Sequence, residues 1–167
     1  SSIIEELFTD KGSGTVLTEY PLEQIRKARM SDINKIYQLI EPLGQDGILV
    51  TRPIDQIEKE LANFYVMEHG LDLIGCVALY HYEEMIEVAC FAIDSNFYNQ
   101  GYGSKLLKFC EKEAKEKNTN HLFILTTQSE HWFMEKGFKV ENKDLMPINR
   151  KKIYQIERNS KFLTKNI

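Results

Sequence analysis

The sequence predicts one α/β domain with a mixed sheet, and three observations support this fold class. The chain has 167 residues, the usual size of one domain, which can bury a core without disulfides or a metal. Strand-like runs and amphipathic helical runs both occur, with hydrophobic residues at 43% and charged residues at 28%. Three consecutive strand-like runs are followed by alternating helix and strand, an order typical of a mixed sheet.

The first half of the chain is predicted to begin with a strand at 24–29 and to continue with two helices. Ser31 can cap the first helix, which Pro42 and Gly44 are expected to end. Pro53 suits the first turn of the second helix, because proline needs no N–H partner there. Three strands of a meander follow, at 64–69, 73–82 and 86–93. The third is apolar on both faces in its inner part, so it should lie centrally in the sheet.

The second half is predicted to alternate helices and strands. A helix at 104–117 buries one apolar face, formed by Leu106, Leu107, Cys110 and Ala114. A strand at 121–126 and a short helix at 130–136 come next. Gly137 is expected to stop that helix before a strand at 138–140.

Both ends of the chain differ from the middle. Residues 1–22 hold a short apolar patch and then a turn-forming run at 10–14, and they look like the end of another element plus a linker. The tail can add a last strand around 153–156, with a further apolar pair at 162–163.

Composition narrows the possible function classes. A net charge of −4 and an isoelectric point near 5.6 provide no overall attraction to nucleic acid or to an anionic membrane. The three cysteines lie in apolar segments without a CxxC spacing, so we expect reduced, buried thiols and a cytoplasmic protein. The histidines show no metal-ligand spacing, and no run approaches the ~18 apolar residues of a membrane span. We therefore expect no metal, no nucleic-acid partner and no membrane partner.

The stretch 86–109 carries the clearest functional signal. An apolar strand runs into a turn, then Gly101 and Gly103, then an amphipathic helix, so backbone N–H groups and a helix dipole converge on one spot. Such a junction suits a phosphate group, and a tight strand–helix turn without a ligand is the alternative. A P-loop is excluded because no Gly-x-x-x-x-Gly-Lys-(Ser/Thr) occurs. A dinucleotide fingerprint is excluded because Leu106 stands where a third glycine or an alanine belongs.

This arrangement resembles the GNAT acyltransferase superfamily, which implies the GNAT fold with a central splayed strand and acetyl-coenzyme A as co-substrate. The family's loop pattern, (Gln/Arg)-x-x-Gly-x-(Gly/Ala), aligns on the two glycines, and Tyr98 departs from it at the first position. Backbone amides of the loop are the implied donors to the pyrophosphate. The implied coenzyme-binding residues are Phe91, Ala92, Ile93, Gln100, Gly101, Tyr102, Gly103 and Ser104.

A closer resemblance is to the acetyltransferase domain of the N-acetylglutamate synthase family, and it covers about residues 24–163. The matching stretches lie in the same order, at 26–29, 32–33, 47–52, 74–80, 87–90, 122–127, 131–138 and 158–161. Residues 1–22 resemble the end of an amino-acid-kinase domain, which implies a remnant or linker before an acetyltransferase domain at 23–167. A kinase-like regulatory domain or a homo-oligomer is the implied macromolecular partner.

The resemblance implies direct transfer of an acetyl group from acetyl-coenzyme A to the α-amine of L-glutamate, the first step of arginine biosynthesis. The ammonium must lose a proton, and Glu87 matches the family's proposed general base; a solvated Glu at a strand start is the alternative. A backbone N–H near Cys90 to Ala92, where the family's strand is bulged, is the implied donor to the thioester oxygen. Because no acyl-enzyme is needed, Cys90 is expected to contact substrate through its main chain and not to act as a nucleophile.

Five further residues are implied to contact the leaving group or the substrate. Thr126 matches the hydroxyl residue proposed to protonate the departing thiolate, with packing through its methyl group as the alternative. Arg52 and Arg158 match the family's carboxylate-binding arginines, because planar guanidinium forks suit carboxylates. Ser160 is the implied hydroxyl partner, and the backbone of Val50 is a further substrate contact.

Other interpretations stay open at this point. The acceptor could be another amino acid or a protein N-terminus, or the chain could be a non-catalytic acyl-coenzyme A-binding module. Trp132 and Phe133 either line the pantetheine channel or belong to the core. The Arg-Lys-Lys run at 150–152 is interpreted as solvated, with the coenzyme's 3′-phosphate as the alternative contact.

Overall fold

A computed structural model of the protein describes residues 23–154 and 159–167. The segment 1–22, predicted to be a remnant or linker, and the predicted carboxylate-binding Arg158 lie outside the described residues. Both therefore stay predictions. The described residues form a mixed sheet with helices packed on its two faces.

The sheet contains seven strands within the described residues, in the order β1-β2-β3-β4-β5-β7-β6. In chain order they are β1 Glu23–Lys27, β2 Phe64–His69, β3 Asp72–Tyr82, β4 Met85–Ile93, β5 His121–Thr126, β6 Lys139–Val140 and β7 Lys161–Asn166. Neighbouring strands are antiparallel except β4 and β5, which run parallel. The predicted α/β class with a mixed sheet is confirmed, and β4 lies centrally as its apolar inner part indicates.

The helices correct one prediction about where α1 ends. They are α1 Ile33–Gln45, α2 Ile54–Lys59, α3 Tyr102–Glu116, α4 Glu130–Glu135 and α5 Ile148–Lys151. The first helix continues past Pro42 and Gly44 instead of ending there. A proline in the last turn removes only its own N–H bond, and the Asp46 N–H still donates to the Pro42 carbonyl at 3.1 Å.

The start of α1 also differs from the prediction that Ser31 caps it. Ser31 lies in a 3₁₀ turn, Met30–Asp32, and the following Asp32 precedes the helix. The Asp32 carboxylate accepts the Arg29 N–H at 2.7 Å and two N–H groups of Arg26 at 2.7 and 3.0 Å. These bonds anchor the helix start to β1, so the local capping signal of a serine is overridden by a tertiary ion pair.

The C-terminal tail supplies the strand that completes this side of the sheet. The last strand, β7, includes the predicted apolar pair Phe162 and Leu163 and lies between β5 and β6. Ile153 and Tyr154 are not in a strand, and 155–156 lie outside the described residues. The predicted tail strand is thus confirmed at 162–163 and wrong at 153–154, and at 155–156 it stays a prediction.

The apolar core lies on both faces of the sheet, because successive side chains of a strand point to opposite faces. A smaller third cluster is formed by Phe123, Met146 and Phe162. Val77 and Leu79 of β3 pack with α3, whereas Cys76 and Ala78 of the same strand pack with α1 and α2. The predicted apolar face of α3 is buried in full, namely Leu106, Leu107, Cys110 and Ala114. All three cysteines are buried and free, as predicted.

The described residues hold neither a membrane-spanning helix nor a cluster of metal-ligating side chains. None of the helices in 23–154 and 159–167 has both the length and the apolar character that crossing a membrane requires. In the same residues, no group of three or more His, Cys, Asp or Glu side chains is placed to hold a metal ion. The predicted functional residues instead gather where β4 and β5 separate.

Candidate active site

The central feature of the site is a gap between the parallel strands β4 and β5. These strands pair only at Ile86–Leu122 and Glu87–Phe123, and beyond these pairs they diverge. The divergence leaves a narrow cavity of about 50 Å³, which Glu87, Cys90 and Thr126 help to line. The predicted splayed strand is therefore β4. Six of the predicted site residues line the cavity at the gap, namely Val50, Arg52, Glu87, Cys90, Phe91 and Thr126.

A β-bulge interrupts β4 at Cys90, as the resemblance implied. Cys76 of β3 lies opposite Ala92 and Ala78 lies opposite Ala89, so β4 holds one residue more than β3 over this interval. Cys90 has a φ of 51°, a left-handed conformation that costs a residue with a side chain about 1–2 kcal/mol. The Cys76 thiol donates to the Cys90 carbonyl at 3.4 Å. This strained backbone is the segment predicted to offer an N–H to the thioester oxygen.

A larger cavity of about 600 Å³ lies between the end of β4, the N-terminus of α3 and α4. Gly101 precedes α3 with a φ of 86°, which glycine adopts without the strain that a side chain would add. A Cβ on Gly103 would lie 3.0 Å from the ring of Trp132, so a side chain at this position would require that ring to move by a few tenths of an ångström. The positive end of α3, which is 15 residues long, borders this open space and suits a phosphate group.

Seven of the eight predicted coenzyme-binding residues line the larger cavity, namely Phe91, Ala92, Ile93, Gly101, Tyr102, Gly103 and Ser104. Gln100 does not: it is exposed, and its side-chain amide donates to the Asn96 carbonyl at 3.4 Å. Tyr98, the departure from the family's loop pattern, lines the cavity. Trp132 and Phe133 satisfy both interpretations left open, because both line the cavity while Phe133 is also buried in the core.

A third cavity of about 290 Å³, here called the charged cavity, adjoins the narrow one. Val50, Arg52, Glu87 and Arg150 line both. The narrow cavity in turn shares Phe91 with the larger cavity. The three cavities therefore adjoin one another in a row that runs from the N-terminus of α3, past the gap between β4 and β5, to a set of charged side chains.

Glu87 forms a buried ion pair with Arg150, a residue of α5. The Arg150 Nε donates to Glu87 Oε1 at 2.7 Å, and both side chains are less than a tenth exposed. The interpretation of Glu87 as a solvated residue is therefore wrong, and so is the solvated interpretation of Arg150; only Lys151 and Lys152 of that run are exposed. Sequence reasoning missed Arg150 because nothing local distinguishes it from the two lysines that follow.

Arg52 reaches the charged cavity from the loop between α1 and α2. Its side chain is 12% exposed, its Nη1 donates to the Val50 carbonyl at 3.4 Å, and its guanidinium lies 5.7 Å from the centre of the Tyr80 ring. Among the described residues, Arg52 Nε and Arg150 Nη1 are buried donors without hydrogen-bond partners. Buried unsatisfied donors are rare, and cationic N–H groups pair best with carboxylate oxygens. The two guanidinium groups thus fit a ligand with negative charge.

Thr126 and Ser160 occupy different positions relative to the cavities. Thr126 ends β5, and its hydroxyl accepts the Ser129 N–H at 2.9 Å, so it shapes the turn before α4 while it lines the narrow cavity. Ser160 is completely buried. Its hydroxyl donates to the Tyr154 oxygen at 3.2 Å, and Tyr154 lines the charged cavity. Ser160 therefore lies behind Tyr154, and its direct contact with a substrate stays a prediction.

The protonation of Cys90 bears on whether this thiol can act as a nucleophile. Burial raises the pKa of the Cys90 thiol to about 11, although the nearby Arg52 acts in the opposite direction. The thiolate is the nucleophilic form of cysteine, so Cys90 is almost entirely unreactive near neutral pH. This agrees with the expectation that Cys90 contributes its main chain.

Comparison with known proteins connects this geometry with acetyltransferases. The family model described as acetyltransferase (GNAT) family matches residues 30–138. Two curated relatives named amino-acid acetyltransferase, from Ralstonia nicotianae and Vibrio cholerae, are each 41% identical over 168 and 164 residues. The alignments cover 99% and 97% of this chain but 37% of each relative. The chain thus spans little more than a third of the length of these relatives.

Two solved structures of N-acetylglutamate synthase from Neisseria gonorrhoeae are similar to this chain. The one complexed with coenzyme A and N-acetyl-glutamate has a TM-score of 0.84 at 35% identity, covering 96% of this chain and 39% of that chain. The one complexed with coenzyme A and L-arginine has a TM-score of 0.81 at 33% identity, covering 92% of this chain and 35% of that chain. The similarity therefore extends over nearly all of the present chain and over a minor part of each synthase.

Proposed function

The chain belongs to the GNAT acetyltransferase family, and on this premise we propose that it transfers the acetyl group of acetyl-coenzyme A to the α-amine of L-glutamate. The curated relatives named amino-acid acetyltransferase support the reaction class. The synthase complexed with coenzyme A and N-acetyl-glutamate supports glutamate as the acceptor. The reaction would be the first step of arginine biosynthesis, as the resemblance implies.

The charged side chains that line the charged cavity are the observation that favours an acidic amino acid as the acceptor. It combines the Glu87 carboxylate with two guanidinium groups that each retain a buried N–H without an acceptor among the described residues. Glutamate offers one ammonium for Glu87 and two carboxylates for Arg52 and Arg150, with Arg158 proposed as a further cation. An acceptor with a neutral side chain would leave buried donors unsatisfied, at a cost of about 1–3 kcal/mol.

Two features of the larger cavity suit acetyl-coenzyme A: an open helix N-terminus and an apolar wall. The left-handed Gly101 and the small Gly103 leave the N-terminus of α3 open to a ligand, and we propose that backbone N–H groups there bind the pyrophosphate. Phe91 and Trp132 provide an apolar wall for the pantetheine arm. When bound, the coenzyme supplies a thioester whose acyl carbon an amine can attack.

Glu87 is proposed to take the proton of the acceptor ammonium. Arg150 binds Oε1, and within the described residues this is the hydrogen bond that Glu87 makes, so Oε2 can face the acceptor. The pair with Arg150 also fixes the orientation of the carboxylate, which efficient proton transfer requires. Backbone N–H groups at the Cys90 bulge are proposed to bind the thioester oxygen, and the Thr126 hydroxyl to give a proton to the departing thiolate.

The test is the release of free thiol from acetyl-coenzyme A with each of the twenty amino acids. Glutamate should have the highest kcat/KM, with glutamine and aspartate at least about tenfold lower, because each leaves a cationic donor unpaired or misplaced. Arg52→Met should raise the KM for glutamate by about 10–100-fold without changing the KM for acetyl-coenzyme A. Arg29→Met, at an exposed arginine outside the cavities, is the matched control.

Three results would contradict the proposal in different ways. A neutral amino acid that matches glutamate in kcat/KM would identify another acceptor. Thiol release with an N-terminal peptide and with no free amino acid would indicate a protein acetyltransferase. Calorimetric binding of coenzyme A with no thiol release for any acceptor would indicate a non-catalytic binding module.

We further propose that a kinase-like domain or a second copy of this chain is the macromolecular partner. The support is that the chain spans only 37% of its curated relatives and that one similar synthase is complexed with L-arginine. Sedimentation equilibrium of the chain over a wide concentration range tests the oligomer, and a monomer throughout would contradict it.

A further inference from the structure

The buried Arg52 forms a long ion pair with a carboxylate that makes no hydrogen bond to it. Glu60 follows the end of α2 and lines the charged cavity together with Arg52. The distance from Arg52 Nε to Glu60 Oε1 is 3.9 Å, too long for a hydrogen bond, and this Nε is one of the two buried donors without an acceptor among the described residues. A short movement of Glu60 would satisfy it, so something must hold the carboxylate away.

Two side chains of the same cavity hold the Glu60 carboxylate by its two oxygens. The Tyr80 hydroxyl donates to Oε1 at 2.5 Å, and the Gln56 amide donates to Oε2 at 3.2 Å. Burial raises the pKa of Tyr80, so its hydroxyl stays protonated and remains a donor across the physiological range. Both oxygens of Glu60 are thus bound, and the Oε1 that Tyr80 holds is also the oxygen 3.9 Å from Arg52 Nε.

We propose that Tyr80 and Gln56 are positioning residues that restrain Glu60 and so keep the Arg52 guanidinium available for a carboxylate of the acceptor. The proposal deepens the proposed function and rests on it for the identity of the acceptor. Tyr80 carries the larger share, because its bond to Glu60 is the shorter of the two, at 2.5 Å against 3.2 Å.

The physical reason is a competition between two carboxylates for one guanidinium. A Glu60 released from Tyr80 can turn to Arg52 and form the paired hydrogen bonds that arginine and carboxylate prefer. The acceptor carboxylate would then have to displace Glu60 before it binds. The restraint therefore acts on the binding of the acceptor and leaves the binding of the coenzyme and the chemical step unaffected.

The test compares Tyr80→Phe with the double variant Tyr80→Phe/Glu60→Gln. Phenylalanine keeps the ring below Arg52 and removes only the hydroxyl, so the KM for glutamate should rise about tenfold, the value of one hydrogen bond to a charged group. The kcat and the KM for acetyl-coenzyme A should stay within about twofold of wild type. Adding Glu60→Gln removes the competing charge and should return the KM for glutamate to near the wild-type value.

A matched control exists elsewhere in the chain. The Tyr65 hydroxyl donates to Glu113 Oε1 at 3.2 Å, a tyrosine–glutamate bond between β2 and α3 that lies outside the three cavities. Tyr65→Phe should leave the KM for glutamate unchanged. If such bonds only stabilised the fold, both tyrosine variants would show an altered KM for glutamate. Adding Glu60→Gln to Tyr80→Phe would then not restore the KM.

Calorimetry with glutarate, a dicarboxylate without an amine, separates this proposal from the proposed function. Glutarate should bind wild type and the double variant alike and bind Tyr80→Phe about tenfold more weakly. A Tyr80→Phe variant with wild-type affinity and KM overturns the inference, as does a double variant as impaired as Tyr80→Phe. If no amino acid supports thiol release, the proposed function fails, and the order of glutarate affinities still decides whether Tyr80 restrains Glu60.

Discussion

Replacing Arg150 by methionine should destabilise the protein by about 3 kcal/mol, because the Glu87 carboxylate is then buried without its partner. In the structure both side chains are less than a tenth exposed and their Nε–Oε1 distance is 2.7 Å. Removing one member of a buried ion pair costs about 3–5 kcal/mol. The lower end applies because both residues border the charged cavity, where water can reach the carboxylate left behind.

Urea unfolding followed by circular dichroism measures this effect. With a denaturant dependence of about 2 kcal/mol per molar urea, the midpoint of Arg150→Met should fall by roughly 1.5 M. Lys151→Met changes the exposed neighbour in the same helix and should stay within about 0.5 kcal/mol of wild type. The double variant Glu87→Gln/Arg150→Met holds no unpaired charge and should be about 1 kcal/mol or more stabler than Arg150→Met alone.

Two outcomes would refute the reasoning about the pair. If Arg150→Met unfolds at the same urea concentration as Lys151→Met, the Glu87 carboxylate does not depend on Arg150. If the free energy of unfolding lost in Glu87→Gln/Arg150→Met equals the sum of the losses in the two single variants, the two side chains contribute independently. Their short distance would then add nothing to stability.

Four further predictions concern the catalytic base, the coenzyme loop, the Cys90 thiol and the N-terminal segment. Glu87→Gln should lower kcat by about 10²–10⁴-fold, the usual contribution of a general base, in the thiol-release assay; the exposed Glu84→Gln is its control, and a kcat within twofold of wild type would exclude the base. Gly101→Ala should cost about 1–2 kcal/mol because of its φ of 86°, lowering the Tm by roughly 2–6 °C in calorimetry; an unchanged Tm would contradict the strain. Since burial raises the pKa of Cys90 to about 11, its neutral form persists below that pH and only about one thiol in a thousand is ionised at pH 8. Alkylation by iodoacetamide, followed by mass spectrometry, should therefore be slow at pH 8 and accelerate toward pH 11, and rapid labelling at pH 7 would count against a buried thiol. Residues 23–167 alone should retain the Tm and kcat of the whole chain if 1–22 are a linker, and a loss of either would show that the segment belongs to the domain.

The regular elements could be predicted because local periodicity encodes them. The strand at 121–126 has the same bounds in the structure, and the four predicted buried residues of α3 are all buried. Gly101 was recognisable because a positive φ before a helix has a strong residue preference. These features depend on neighbours within a few residues, so the sequence alone contains the information.

The incorrect predictions concern residues whose surroundings are set at long range. Ser31 does not cap α1, because Asp32 precedes the helix and is bound by Arg26 of β1, which Glu68 of β2 binds in turn. Arg150 was interpreted as solvated but is buried in an ion pair with Glu87, 63 positions away along the chain. In each case the local signal was real, and a contact from another part of the chain outweighed it.

Sequence by itself determined the alternation of strands and helices, the glycine junction before α3 and the family that these features resemble. Tertiary structure alone decided which charges meet: Glu87 with Arg150, 63 positions apart, and Tyr80 with Glu60, 20 positions apart. A hydrophobic pattern specifies which side of a helix or strand is buried. It does not specify which other element covers that side. The chemistry of the charged cavity depends on those partners, because a buried carboxylate or guanidinium acts according to the group that holds it.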